Sequence, residues 1–127
     1  CPENYCPNPD LVDKAMKKGI SDIYIEHDPY SGVKDSDIIY TDVWASMGQK
    51  EDTELRKKIF EPYQVNWKLF RATNKNTLFM HCLPAERGLE VTDKICDAPY
   101  SIIFDQAENR MHAQNAIMLK MMEKSSI

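Results

Sequence analysis

The run Ile38-Ile39-Tyr40-Thr41 is β-branched and aromatic from end to end, without polar–apolar alternation. Continuity of that kind belongs to strands buried on both faces, the strands of parallel sheets. Thr77-Leu78-Phe79-Met80 and Ser101-Ile102-Ile103-Phe104 repeat the pattern downstream, and Asp22-Ile23-Tyr24-Ile25 precedes it. Helix signals fall between these runs, and strands alternating with helices form right-handed βαβ units. The expected fold is therefore α/β: a three-layer, mostly parallel sheet of about four strands with flanking helices. That is a partial Rossmann-like sheet, smaller than a self-contained doubly wound domain.

The helix signals are specific. Asn8 or Asp10 can cap a helix through Lys18, with Pro9 just inside its start and Gly19 ending it. Leu11, Val12, Ala15 and Met16 give that helix an apolar face. His27-Asp28-Pro29-Tyr30-Ser31-Gly32 reads as a turn and 33–36 as one helical turn. A charged helix is expected over 51–60, a shorter one over 66–72 and a short one, capped by Thr92, ending near Cys96. A long helix is expected over 107–122.

Several classes of function are disfavoured. A chain of 127 residues makes one domain. Its net charge of −4 gives no basic face for nucleic acid. No apolar run approaches the ~18 residues that span a bilayer, so no membrane role is expected. G-x-G-x-x-G and P-loop motifs are absent, so neither a dinucleotide nor a triphosphate is indicated. Cys1, Cys6, Cys82 and Cys96 match no zinc spacing and the three histidines are scattered, so no metal is expected. Nothing in the sequence supports a Cys1–Cys6 bridge. Without a secretory signal the thiols read as reduced, in an intracellular, cytoplasmic protein, with the mitochondrial matrix as the other setting open.

Three polar groupings each follow a strand run, and so belong at the carboxyl edge of the sheet, where ligands bind in open α/β folds. Asp42, Ser46 and Met47 follow the first; His81 and Cys82 follow the second; Asp105, Glu108, Asn109, Arg110 and His112 follow the last. An aspartate can hold an ammonium, a loop with Ser46 can hold a carboxylate, and Arg110 offers a planar fork for phosphate or carboxylate. Together these suit a small zwitterion beside an anionic partner. Each group also has a plain structural reading: Asp42 a helix cap, Cys82 a buried small apolar residue, Arg110 an ion-pair partner of Glu108 or Asp105. Asp105 and Asn109 read as capping and buried-network residues, His112 as a packed histidine, and Trp44 and Trp67 as core or loop fillers.

Three segments, Thr41-Asp42-Val43-Trp44-Ala45-Ser46-Met47-Gly48-Gln49, His81-Cys82-Leu83-Pro84 and Ala107-Glu108-Asn109-Arg110-Met111-His112-Ala113-Gln114, resemble in order and spacing the signatures of the ornithine carbamoyltransferases. The resemblance extends over essentially the whole chain, including Asp28-Pro29 and Val91-Thr92-Asp93; Gln106 stands where an acidic residue is common. It implies transfer of the carbamoyl group of carbamoyl phosphate to the δ-amino group of L-ornithine, giving L-citrulline and phosphate without a cofactor. By the same resemblance Asp42, Ser46 and Met47 hold the amino-acid end of ornithine. Cys82 and Asp42 take the catalytic positions, and Cys82, Leu83 and Arg110 the carbamoyl-phosphate positions.

The family's Ser-Thr-Arg-Thr-Arg phosphate loop and His-Pro-x-Gln segment are not in these 127 residues. Residues 1–127 are accordingly expected to be part of a C-terminal ornithine-binding domain, without the N-terminal carbamoyl-phosphate domain and unable to catalyse alone. The resemblance implies a homotrimer for the complete protein. The alternative is a non-catalytic ornithine-binding paralogue or regulatory subunit. A thiol-redox protein using Cys82 is weaker, for want of a Cys-x-x-Cys pair.

Overall fold

Strand β1 (Ile38–Thr41) pairs in parallel with β2 (Leu78–His81), in a register that sets Ile38 opposite Leu78 and Thr41 opposite His81. These coordinates, a computed structural model, describe residues 1–45 and 53–124. The chain is mixed α/β with a small parallel sheet, as its sequence pattern implies, and two strands make up that sheet among the described residues. Parallel neighbours need a crossover. Here it contains helix α3 (Thr53–Phe60), a 3-10 turn at Glu61–Tyr63 and helix α4 (Trp67–Phe70), whose cap Asn66 accepts from the Leu69 amide.

The two other expected strands are not formed. Ser101 makes a single parallel bridge to Phe79, with Phe79 N–H donating to Tyr100 O and Ile102 N–H to Phe79 O. The chain then turns into a helix (α6, Ile103–Lys124), because Ile102 O already accepts from Gln106 N–H in the first turn. At 22–25 no strand forms either, and Tyr24 is 85% exposed. β-propensity expresses itself only where a neighbouring strand supplies hydrogen bonds and packing, and no strand lies beside this segment among the described residues.

Helix α1 (Pro9–Lys18) resolves the choice of cap: Asn8 Oδ1 accepts from the Asp10 and Leu11 amides. Gly19, at φ +61°, closes it in the left-handed conformation that glycine adopts without strain. Its apolar face is not core, since no residue of α1 is buried. Helix α2 (Pro29–Val33) starts earlier than the expected turn at 33–36. Asp28 accepts from both the amide and the hydroxyl of Ser31, and Pro29 stands at the first helical position. The Asp-Pro pair was thus a helix start rather than a turn. Thr92 stands at the cap position of α5 (Asp93–Cys96), but its hydroxyl makes no capping hydrogen bond.

The core lies to one side of the sheet. Phe79, Val91, Ile95, Cys96 and Ile103 are almost wholly buried, with Ile39, Val65 and Phe70 around them and Tyr100 stacked on Phe70 at 4.2 Å. β1 is therefore not buried on both faces as its continuous apolar run suggests: Ile39 is buried, whereas Ile38 and Tyr40 are 53% and 55% exposed. Beyond its first turns α6 also exposes apolar side chains, Met111, Met118 and Met122 among them. No helix among the described residues is long and apolar enough to cross a membrane.

Candidate active site

The register of the two strands places the site. Since Thr41 faces His81, the next residues, Asp42 and Cys82, leave the carboxyl edge side by side. The Cys82 thiol donates to Asp42 Oδ1 at 2.9 Å, and the Val43 amide donates to the same oxygen at 2.7 Å. The hydrogen bond from Cys82, foremost, holds the Asp42 carboxyl below the usual aspartate range. Partial burial, followed by the adjacent carboxylate, pushes the Cys82 thiol above the ordinary cysteine value. Near neutral pH the pair is thus an ionised carboxylate carrying a thiol's hydrogen bond. An unactivated thiol is a poor nucleophile, because the thiolate is the attacking form. Asp42 also lines an open cleft of about 540 Å³ with Thr41, Trp44, Arg56 and Phe60. A volume of that order suits a small ligand.

The turn after Cys82 is held from beneath. Leu83 has φ +55°, a left-handed conformation that costs a non-glycine residue about 1–2 kcal/mol. Its amide donates to Nδ1 of His81 at 2.9 Å, so Nδ1 is the acceptor nitrogen and Nε2 carries the proton. Nε2 meets Glu90 Oε1 at 3.1 Å, and both side chains are completely buried. The same Glu90 oxygen accepts from the Glu86 amide at 2.6 Å, fastening the far side of the loop. Outside, Arg87 reaches Asp97 through both terminal nitrogens, at 2.6 and 2.7 Å, and Asp93 at 3.0 Å. Glu90 escapes the sequence reading, and Gln106 enters it only as a departure from a commonly acidic position. Gln106 Oε1 accepts from the His81 amide and its Nε2 donates to the Tyr40 hydroxyl, so α6 is anchored to both strands at the site. A carboxylate there could not make that donor contact, which gives this chain's glutamine a definite use. An acid between the apolar Leu89 and Val91 could have signalled Glu90, but only the fold shows which donors it meets.

Arg110 lies one helical turn beyond Gln106, on the same face of α6, and is exposed. Glu108 approaches His112, at 3.5 Å, rather than Arg110, and Asn109 donates to the Asp105 carbonyl. Asp105 and Asn109 are exposed, so the expectation of a buried network at these positions is not met. Trp44 stacks near Phe60, and Trp67 near Tyr100. Ser46 and Met47 lie outside the described residues.

Fold and site together define a small parallel α/β domain with its polar groups gathered at the carboxyl ends of adjacent strands. Residues 1–121 match the family model described as "Aspartate/ornithine carbamoyltransferase, Asp/Orn binding domain", and the chain belongs to that family. It is 56% identical to the chloroplastic ornithine carbamoyltransferase of Pisum sativum over 124 residues, covering 98% of this chain and 33% of the pea protein. The ornithine carbamoyltransferase structure from Pyrococcus furiosus superposes with a TM-score of 0.82 at 50% identity, over 92% of this chain and 38% of that one. The anabolic enzyme structure from Campylobacter jejuni gives a TM-score of 0.89 at 32% identity, over 98% and 42% respectively. The chain therefore spans less than half the length of the relatives it matches.

Proposed function

We propose that residues 1–127 form part of the ornithine-binding domain of an ornithine carbamoyltransferase. The complete protein would join the δ-amino group of L-ornithine to the carbamoyl group of carbamoyl phosphate, giving L-citrulline and phosphate. The observation that carries this reading is the Cys82–Asp42 contact at the carboxyl edge, in a chain of this family. Ornithine arrives with its side-chain amine protonated, and attack requires the neutral amine. An ionised Asp42 can bind and orient the ammonium, and a proton lost from it has an acceptor there. The Cys82 thiol, held protonated, positions Asp42 rather than forming a covalent intermediate. Ser46 and Met47 hold the amino-acid end; Leu83 and Arg110 meet carbamoyl phosphate, where a guanidinium stabilises charge developing on phosphate. No cofactor enters this chemistry.

The reading carries a second domain for the carbamoyl-phosphate loop, a homotrimer and an intracellular setting. The test is citrulline formation by the protein carrying this sequence, with and without Cys82→Ser. The variant should fold normally and lose roughly a hundredfold in turnover, the lower end of what a positioned proton-transfer group contributes. Unchanged kinetics for both substrates would remove Cys82 from the mechanism, and ornithine binding without citrulline would make the protein a binding paralogue.

A further inference from the structure

Away from the Cys82–Asp42 pair, the fold assembles a second group of metal-binding side chains that share no residue with it. Cys1 and Cys6 flank the 3-10 turn Glu3–Tyr5, which brings their sulfurs to 3.9 Å. A ring nitrogen of His27 joins them, so that the three ligand atoms lie within 4.8 Å of one another. Tetrahedral zinc with Zn–S bonds of about 2.3 Å places two sulfurs about 3.8 Å apart. A disulfide would need about 2.05 Å. The sulfurs already stand at the edge length of a metal tetrahedron.

The surroundings hold this arrangement in place. His27 Nδ1 is 2.8 Å from the Cys1 carbonyl, and the Cys1 backbone nitrogen donates to the Glu26 carbonyl at 2.7 Å. The Tyr63 hydroxyl donates to the His27 carbonyl. Two sulfurs and an imidazole are the donor set of zinc-class ions, since soft ligands select against magnesium and calcium.

We propose that Cys1, Cys6 and His27 form a Cys₂His site for a zinc-class divalent cation, its fourth position open to water. Both thiols ionise on binding and release their protons to solvent. The bound ion ties the 1–6 segment to the chain at His27. Cys1 also lines the cleft that Asp42 opens into, so the ion sits on the wall of that cleft.

The experiment titrates the reduced, chelator-stripped protein carrying this sequence with Zn²⁺ against a chromophoric chelator, and with Co²⁺ for its absorption spectrum. Cys6→Ser, His27→Gln and Cys82→Ser are compared with the parent. Cys6 and His27 are exposed, so their variants should keep the parent's circular dichroism. One ion per chain is expected, with thiolate-to-cobalt charge transfer. Cys6→Ser should weaken that band and His27→Gln should retain it. Each should lower affinity at least about tenfold, the loss that even an outer-shell partner costs. Cys82→Ser should leave both metal titrations as in the parent. Parent-like titrations of both Cys6→Ser and His27→Gln would overturn the site, as would loss of the ion in Cys82→Ser alone, or no stoichiometric binding by the parent.

Discussion

His81 and Glu90 meet with neither side chain exposed, imidazole Nε2 at 3.1 Å from carboxylate Oε1. That contact lies directly beneath the turn that carries Cys82 and Leu83. It ties the end of β2 to the far side of the loop, where the same oxygen receives the Glu86 amide. The positive φ of Leu83 persists because these bonds hold it on both sides.

Removing that support has a definite expected cost. Glu90→Ala strands one fully buried donor, the His81 Nε2–H, and removes the acceptor of the part-buried Glu86 amide; an unsatisfied buried group costs about 1–3 kcal/mol. We predict a loss of roughly 1–3 kcal/mol in a urea melt of the protein carrying this sequence, set by the buried imidazole donor. Glu90→Gln keeps an acceptor oxygen and should lose much less. Melts of Glu90→Ala and the parent that coincide would show that the pair does not support the loop.

The Cys82–Asp42 bond makes a chemical prediction. Cys82 is raised above the ordinary cysteine value by burial and then by Asp42. A thiol raised in the folded state is fully protonated below the ordinary value, and its share of stability there is lost as pH rises through the folded one. Alkylation of Cys82 by iodoacetamide should accordingly be slow at neutral pH and should accelerate at a higher pH than for a free thiol, which titrates near 8.5. Asp42→Asn should shift the profile downward, towards the value that burial alone sets. Mass-spectrometric rates across pH measure this, and an unshifted profile in Asp42→Asn would dissociate the two residues.

Substrate choice follows from the proposed pocket. Ser46 and Met47 are assigned to the amino-acid end, so putrescine, which lacks the carboxylate, forfeits a charge-assisted contact. Such contacts are worth about 1.5–3 kcal/mol. At ~1.4 kcal/mol per tenfold, kcat/KM should fall by roughly one to two orders of magnitude. Comparable efficiency on ornithine and putrescine would show that this loop does not read the carboxylate.

The 127-residue chain in isolation should be marginally stable. Phe104, Met111, Met118 and Met122 recur at helical spacing on α6 and are all exposed, and Ile38 and Tyr40 of β1 are more than half exposed. Faces of this kind associate unless covered. We predict concentration-dependent association in sedimentation, a shallow urea transition and no citrulline formation. Met118→Lys with Met122→Lys should reduce the association. A monomer that melts cooperatively and forms citrulline would contradict both the stability argument and the assignment of the phosphate chemistry to another domain.

The local elements were legible because their causes are local. Asn8, Pro9 and Gly19 bound α1 through hydrogen bonds and φ preferences that act within a few residues. The apolar runs at 38–41 and 78–81 carry β-propensity in their own side chains, and the polar residues after them locate the sheet's carboxyl edge. Pairing was not legible: 22–25 and 101–104 have the same kind of composition, yet one has no neighbour among the described residues and the other yields to the first turn of α6. Tertiary structure alone decided that Glu90 faces His81, nine positions earlier, and that Gln106 bridges two strands from a helix. It also brought His27 to Cys1 and Cys6, where no zinc spacing exists along the chain. Propensity and capping are properties of adjacent residues, whereas a ligand set or a buried partner is a property of distance in space.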